Sequence, residues 1–343
     1  MKFIKHNLDG FWNFYRDGVT QSLIGAYREC PVQCKLRYYD GWTPRYYSKP
    51  IHFGNCVHHV LASCYADNVS QPLAGEILRL VREYEAIWEN EQGGDFNTKQ
   101  QETWDEVYIL AEAICLTYFE IYSKDFKHTW EFTEKDFAVE YQFQSYGENQ
   151  VVTKLRGKID GCFKDVHTGK PWLIDHKTKS MINIDAIKSV LPFDTQCNLY
   201  MLAWQKQTGE YPAGIIYNII RTPQSKLKQG ESKNEFIDRF RETVQKDPDH
   251  YFYRVKFQIA PEELQQWEQN WLIPNLQEIQ AWFDSGCTSK TMNPDALETK
   301  YGLTPYYNLL VTSNTMGYYR RKHPFPELDA EINLNYGVKQ GGA

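Results

Sequence analysis

The chain has 343 residues, 42% hydrophobic and 24% charged, which is globular composition with length for a large core or two domains. Its net charge of -6 argues against a general nucleic-acid coat, while leaving room for a local basic groove. No run of eighteen apolar residues marks a membrane span, and "MKFIKHNLDGFWNFYRDG" lacks the apolar stretch of a secretory signal, so a cytoplasmic protein is expected. Cys30, Cys34, Cys56, Cys64, Cys115, Cys162, Cys197 and Cys287 are scattered, which reads as reduced thiols. An aromatic content of 15% suits thick cores and also surfaces that stack bases.

In chain order, residues 18–39 read as a helix leading into "ECPVQCKLRYYDGW", with Pro31 breaking or restarting it. Val57, Val60, Leu61 and Cys64 recur at helical spacing, so a core-facing helix begins near Asn55. Further amphipathic helices are expected at 73–90 and 101–125. The period then changes to two. In "FAVEYQF", Phe137, Val139, Tyr141 and Phe143 share one face and Glu140 takes the other. In "VVTKLRGKIDGCF", Val151, Thr153, Leu155, Ile159 and Phe163 share a face opposite Lys154, Arg156, Lys158 and Asp160. "HTGK" supplies a turn and "PWLIDHKTK" a third strand, giving a meander.

"FDTQCNLYMLAWQKQTG" reads as a helix with Asp194 or Thr195 at its N-cap and Gly209 as its stop. A continuous apolar strand, "AGIIYNIIRT", follows, then a polar loop at 222–235, a helix, an alternating strand and a Trp-bearing helix over 261–284. The terminal "KQGGA" is expected to fray. "RRKH" at 320–323 reads as a solvated surface run.

Strand geometry puts Asp175 and Lys177 on one face of the third strand and His176 on the other. Fourteen residues separate Asp160 from Asp175, enough for a hairpin that sets the carboxylates side by side. Two close carboxylates repel unless a cation lies between them, and Mg²⁺ is held by one or two carboxylates with water and phosphate oxygens. A nearby ammonium can orient water and offset phosphate charge. The alternative is a strand end running into solvent with an exposed ion pair. Lys154, Arg156 and Lys158 read equally as phosphate contacts or as an outward strand face. Glu140 reads equally as a further acid or as an exposed strand residue.

"GKIDG", "LIDHKT" and "QCNLY", in that order, resemble the PD-(D/E)XK nuclease superfamily in its RecB-type exonuclease branch. "FGNCVH" fits an upstream Gly-x-x-x-His signature, and "CPVQCKLRYYDGW" is similar to that branch's Cys-Pro stretch. The resemblance implies an α/β, restriction-endonuclease-like fold: a mixed central sheet flanked by helices, with a helical N-terminal elaboration. One nuclease domain would span 1–343, with a helical N-terminal region over 1–130, a catalytic core over 131–221 and a C-terminal elaboration over 222–343. It implies Asp160, Asp175 and Lys177 as catalytic residues. It also implies one or two Mg²⁺ or Mn²⁺ ions on Asp160, Asp175, the His176 carbonyl and His58 rather than His59. Gln196, Tyr200 and Lys158 would position the substrate.

The implied activity is a metal-dependent DNA exonuclease acting on single strands or duplex ends in replication, recombination or repair, of phage or bacterial origin. A homo-oligomer with a central pore would favour processivity. The rivals are a nuclease-fold module that binds DNA or a partner without cutting, and a CRISPR spacer-acquisition subunit. Many relatives hold an iron–sulfur cluster on one N-terminal and three C-terminal cysteines. This chain keeps Cys30 but reads "NPDALETKYGLTPYYNLL", with Ala296, Leu303 and Leu310 where thiolates are expected. No cluster is therefore expected, and an apolar plug should join the C-terminal segment to "CPVQC".

Overall fold

The structure is a computed structural model that describes residues 10–44, 48–67, 71–92, 96–288, 292–299 and 302–328. The terminal "KQGGA" and Tyr301 lie outside the described residues. Strand β1 (Val19–Thr20) leads into α1 (Gln21–Glu29), α2 (Pro31–Cys34), a π-turn (Lys35–Tyr39) and β2 (Trp42–Pro44). Helices α3 (Lys49–Asp67), α4 (Ala74–Gln92) and α5 (Thr98–Ile121) follow, then β3 (Thr129–Gln144), β4 (Gln150–Lys164) and β5 (Pro171–Lys179). Next come α6 (Ile184–Val190), α7 (Thr195–Thr208), β6 (Gly214–Arg221), α8 (Lys233–Lys246), α9 (Pro248–Tyr251) and β7 (Phe252–Phe257). The chain closes through α10 (Pro261–Trp267), α11 (Ile273–Asp284), β8 (Glu298–Thr299), β9 (Gly302–Leu303), α12 (Tyr307–Thr312) and β10 (Tyr318–Arg320).

Local chemistry sets these boundaries. Thr20 caps α1 by accepting the Leu23 N–H at 3.2 Å, so the helix expected from residue 18 starts after a short strand. Cys30 is extended (φ -159°, ψ 104°) and Pro31, which has no N–H to satisfy, restarts the helix. Asp194 caps α7 and Gly209 ends it in the left-handed region at φ +79°. Helix α3 starts at Lys49, not near Asn55, because its first turn lies ahead of the buried stripe that marks it in the sequence.

The central sheet is mixed. Strand β4 carries β3 antiparallel along one edge, while β1 (parallel) and β5 (antiparallel) share the other. Strands β5 and β6 are parallel, joined over α6 and α7, and β7 closes that edge antiparallel. Helices α3, α4, α5 and α8 cover one face through a cluster that includes Trp130, Phe163, Trp172, Ile174 and Ile216. Helices α1, α7 and α11 cover the other against Leu155, Ile159, Cys162, Leu173 and Ile219. This is a mixed α/β, restriction-endonuclease-like architecture.

One expectation fails informatively. Phe163 does not share a core with Ile159; Cys162 does, so strict alternation breaks between them. The partner strand breaks at the same level, with a register shift between Trp130 and Phe132 and with Glu134 in the left-handed region at φ +48°. Such irregularities re-aim side chains and are common beside functional sites.

Gly157, the glycine of "GKID", is a close-approach position. A Cβ there would lie 2.7 Å from the Phe137 ring and 3.3 Å from Tyr200. Gly157→Ala should therefore cost about 1–3 kcal/mol, read as a lower urea midpoint at unchanged slope. A midpoint equal to that of the parent protein would mean the two rings can move aside freely.

Candidate active site

Asp160 and Asp175 stand where two strands diverge. The β4–β5 ladder pairs Lys164 with Pro171 and ends at Gly161 with Ile174. The next pair would set Asp160 against Asp175, and like charges directly opposite each other destabilise a ladder. Strand β5 instead continues along β6 to Lys179 and Arg221. Within the resulting fork the His176 backbone N–H donates to Asp160 Oδ2 at 2.7 Å. Both carboxylates are buried, Asp175 completely.

Lys177 reaches back over Asp175, with Nζ 2.8 Å from each carboxylate oxygen. It also donates to Gln196 Oε1 at 2.8 Å, and Gln196 Nε2 donates to the Tyr200 hydroxyl at 2.7 Å. An ammonium has no acceptor, so the Gln196 amide can face it only oxygen first. The i, i+4 spacing on α7 brings Gln196 and Tyr200 together on one face.

Helix α3 supplies His58 from the opposite side. Its Nδ1 lies 3.6 Å from Asp160 Oδ2 and 3.7 Å from Glu134 Oε1. Ligand atoms of His58, Glu134 and Asp160 all fall within 4.8 Å of one another, and this is the three-residue metal-ligating group among the described residues. The second Glu134 oxygen takes the Lys158 ammonium at 2.5 Å. Reading the sequence did not single out Glu134. The left-handed residue breaks the alternation, and the run of three charges Glu134-Lys135-Asp136 inside a strand was the available signal.

The electrostatics follow from burial and neighbours. Burial pushes the Asp160 carboxyl up to about 7, aided by Asp175 and Glu134 and opposed by His58 and Lys177. Burial also raises Asp175 against the pull of Lys177. Burial would raise Glu134, but His58 and Lys158 outweigh it and hold this carboxylate below its usual value. Lys177 is the reverse: burial disfavours its charge, yet Asp175 and Asp160 raise its pKa. Burial lowers His58 in the same way, and Asp160 with Glu134 more than reverses it.

Other singled-out residues lie elsewhere. Glu140 is exposed opposite Lys154 and accepts from Gln142 at 3.3 Å. His59 faces α4, with Nε2 3.7 Å from Glu83. The His176 ring points to the opposite face, held to Asn218 Nδ2 at 2.7 Å. Lys154, Arg156 and Lys158 diverge: Arg156 donates to the Asp17 carbonyl at 3.4 Å, Lys158 joins Glu134 and Lys154 stays exposed. The "RRKH" run is not uniformly solvated. Arg320 pairs with Trp42 through β10 and β2, and Arg321, partly buried, bonds Thr43.

The sequence model of the PD-(D/E)XK nuclease superfamily matches residues 19–280. The chain belongs to the PD-(D/E)XK nuclease superfamily. No curated protein matches it. Membership implies metal-dependent cleavage of phosphodiester bonds, with DNA as substrate class. No helix among the described residues is long and apolar enough to cross a membrane.

The donor set fits the divalent ion that a PD-(D/E)XK nuclease uses. Two carboxylates and one imidazole converge within 4.8 Å, and the buried Asp175 carboxylate stands beside them, paired with Lys177 at 2.8 Å. Oxygen donors suit Mg²⁺ and Mn²⁺, and the imidazole favours Mn²⁺.

A pH dependence follows. Asp160 is raised from 3.8 to about 7 by folding, so its contribution to stability is fully present below pH ~4 and lost as pH rises through about 7. The ionised form is what a cation requires. Saturating Mn²⁺ should raise the melting temperature more at pH 8 than at pH 5.5. Equal shifts in scanning calorimetry at the two pH values would contradict this.

Proposed function

We propose that this PD-(D/E)XK protein is a Mg²⁺- or Mn²⁺-dependent deoxyribonuclease of the RecB-type branch, acting as an exonuclease at DNA ends in recombination, repair or replication. In this reading 1–343 is one nuclease domain with its catalytic core at 131–221, working in the cytoplasm of a bacterium or a phage-infected cell. The carrying observation is the fork at Asp160 and Asp175, with Lys177 held between Asp175 and Gln196 at 2.8 Å.

His58, Glu134, Asp160 and Asp175 would hold the ion, and a bound divalent ion supplies Lewis-acid polarisation and a more acidic water. The remaining work falls to side chains. Lys177 stays an ammonium, because Asp175 and Asp160 raise its pKa, so it orients an attacking water or a phosphate oxygen and does not act as a base. Gln196 fixes the direction of that ammonium, and Tyr200 fixes Gln196. Burial keeps the Tyr200 phenol protonated, so its O–H remains a donor. Lys158 neutralises Glu134 and leaves the other Glu134 oxygen toward His58.

The test uses 5′- and 3′-labelled single- and double-stranded DNA with Mg²⁺ or Mn²⁺. Asp160→Asn and Asp175→Asn should lose cleavage while keeping the parent circular-dichroism spectrum. Lys177→Met should lose about a hundredfold or more in kcat yet bind Mn²⁺ normally. Glu134→Gln should weaken Mn²⁺ binding about 10–100-fold. An Asp175→Asn protein that digests DNA at the parent rate would sink the assignment.

We also propose that this nuclease carries no iron–sulfur cluster. Cys30, Cys34 and Cys287 are buried, and the C-terminal segment docks on their neighbours by hydrogen bonds. Gln33 donates to the Ala296 carbonyl at 2.9 Å and accepts from Thr304 at 2.7 Å, and Asn293 donates to the Glu29 carbonyl at 2.9 Å. The expected apolar plug needs correction: Ala296 is buried, but Leu303 is exposed, and Gln33 makes polar contacts to Ala296 and Thr304. Anaerobic purification should give a colourless protein without stoichiometric iron. A brown protein with several irons per chain would overturn this.

A further inference from the structure

Three large apolar side chains are exposed around the carboxyl end of β5. Ile51 is 52% exposed, and Met181 and Phe193 are each 75% exposed. Single exposed apolar residues are ordinary. Here topology gathers them. Helix α3 crosses the end of β5 so closely that a Cβ on Gly54 would lie 2.9 Å from Thr178 Oγ1. Ile51 stands one turn before Gly54 on that helix, and Met181 follows Thr178 by three residues. Phe193 immediately precedes Asp194, the N-cap of α7, whose charge reaches Asp175.

Their backbones are anchored, so the exposure is not that of a loose loop. Arg221 donates to the Ser180 carbonyl at 3.2 Å, and the Thr222 N–H to the Lys179 carbonyl at 2.9 Å. The fully buried Asn198 amide donates to the carbonyls on both sides of Phe193, Pro192 at 3.0 Å and Asp194 at 2.9 Å. A buried amide spent on holding a flanking loop makes Phe193 a fixed platform.

The surrounding charge selects the occupant. The Lys177 and Lys179 ammoniums lie 6.0 and 5.7 Å from the Tyr217 ring centre, and Lys188 lies 5.7 Å from that of Tyr253. Two carboxylates stand against them: Asp194, which caps α7 through the Cys197 N–H at 2.8 Å and keeps its charge, and Asp185, exposed on α6. Exposed apolar side chains near a strand end and helix that carry Lys179 and Lys188 suit a ligand with a flat apolar face and an anionic backbone.

We propose that Ile51, Met181 and Phe193 form a nucleobase-binding subsite beside the scissile phosphate, taking the face of an unpaired base of single-stranded DNA. The proposal rests on the nuclease reading above. Inside a duplex, stacking hides both base faces, so an unpaired nucleotide enters where an internal base pair cannot. The subsite thereby favours frayed or single-stranded ends over closed duplex.

The test uses the cleavage-inactive Asp175→Asn protein and oligonucleotides carrying a fluorescent adenine analogue at successive positions. Quenching should appear at one or two adjacent positions, vanish in Phe193→Ala and persist in Phe193→Trp. Phe193→Ala and Met181→Ala should each weaken single-strand binding about tenfold and change blunt-duplex binding by less than about twofold. Equal losses for both substrates, or none, would overturn the subsite while leaving the nuclease reading intact. Loss of an oligomer in Phe193→Ala by sedimentation would reassign the rim to a contact between copies. Failure of the Asp175→Asn protein to bind any DNA would remove the nuclease reading and this inference together.

Discussion

Two aspartates that would face each other across antiparallel strands cannot share a closed ladder, and the architecture around the site follows from how β4 and β5 separate there. The ladder stops at Gly161 and Ile174, one pair short of Asp160 and Asp175. Separation frees the His176 N–H for Asp160 and leaves β5 to continue on β6 alone. A buried N–H without a partner would be costly, so the carboxylate satisfies the backbone that its own charge has displaced.

Each carboxylate in the fork has its own counter-charge. Glu134 has Lys158, Asp175 has Lys177, and Asp160 has His58 together with the His176 N–H. An ion buried without such a partner costs several kcal/mol. Three acids can therefore sit inside one sheet end without unfolding it. Asp160 is the least well compensated, and it is the one whose proton affinity rises to about 7. A cation entering here replaces a proton more readily than it replaces an ammonium.

Much of this was legible in the sequence, for a physical reason. Asp160, Asp175, Lys177, Gln196 and Tyr200 lie on regular elements, where the periods of strand and helix carry side-chain direction into the letter spacing. The α7 cap at Asp194 and its stop at Gly209 were readable because capping is local chemistry. Glu134 was hidden by a local break in its strand. Its positive φ breaks the alternation on which strand reading depends, so Glu140, on the regular stretch, drew the attention. The joining of the C-terminal segment to "CPVQC" was expected from the sequence, but not the polar contacts of Gln33 that make it, which link residues more than 260 positions apart.

The opposite face of β5 explains how His58 keeps its place. His176, Asn218 and Arg254 are register neighbours across β5, β6 and β7. The Asn218 amide donates to His176 Nδ1 at 2.7 Å and accepts from Arg254 Nε at 3.0 Å. Arg254 then grips Asp125 with both terminal nitrogens, at 2.8 and 2.5 Å, and the Tyr65 hydroxyl donates to the same carboxylate at 2.6 Å. Tyr65 lies on α3, two turns beyond His58, so this row ties the helix carrying His58 to the strand carrying Asp175. His176 must stay neutral within it: burial lowers its pKa far below normal, and His58, Arg254 and Lys177 add to that. A charged imidazole would meet the Asn218 amide donor with a second donor and break the row at its first link. The imidazole inside "DHK" is thus a link on one face of β5, between two charged residues that point to the other.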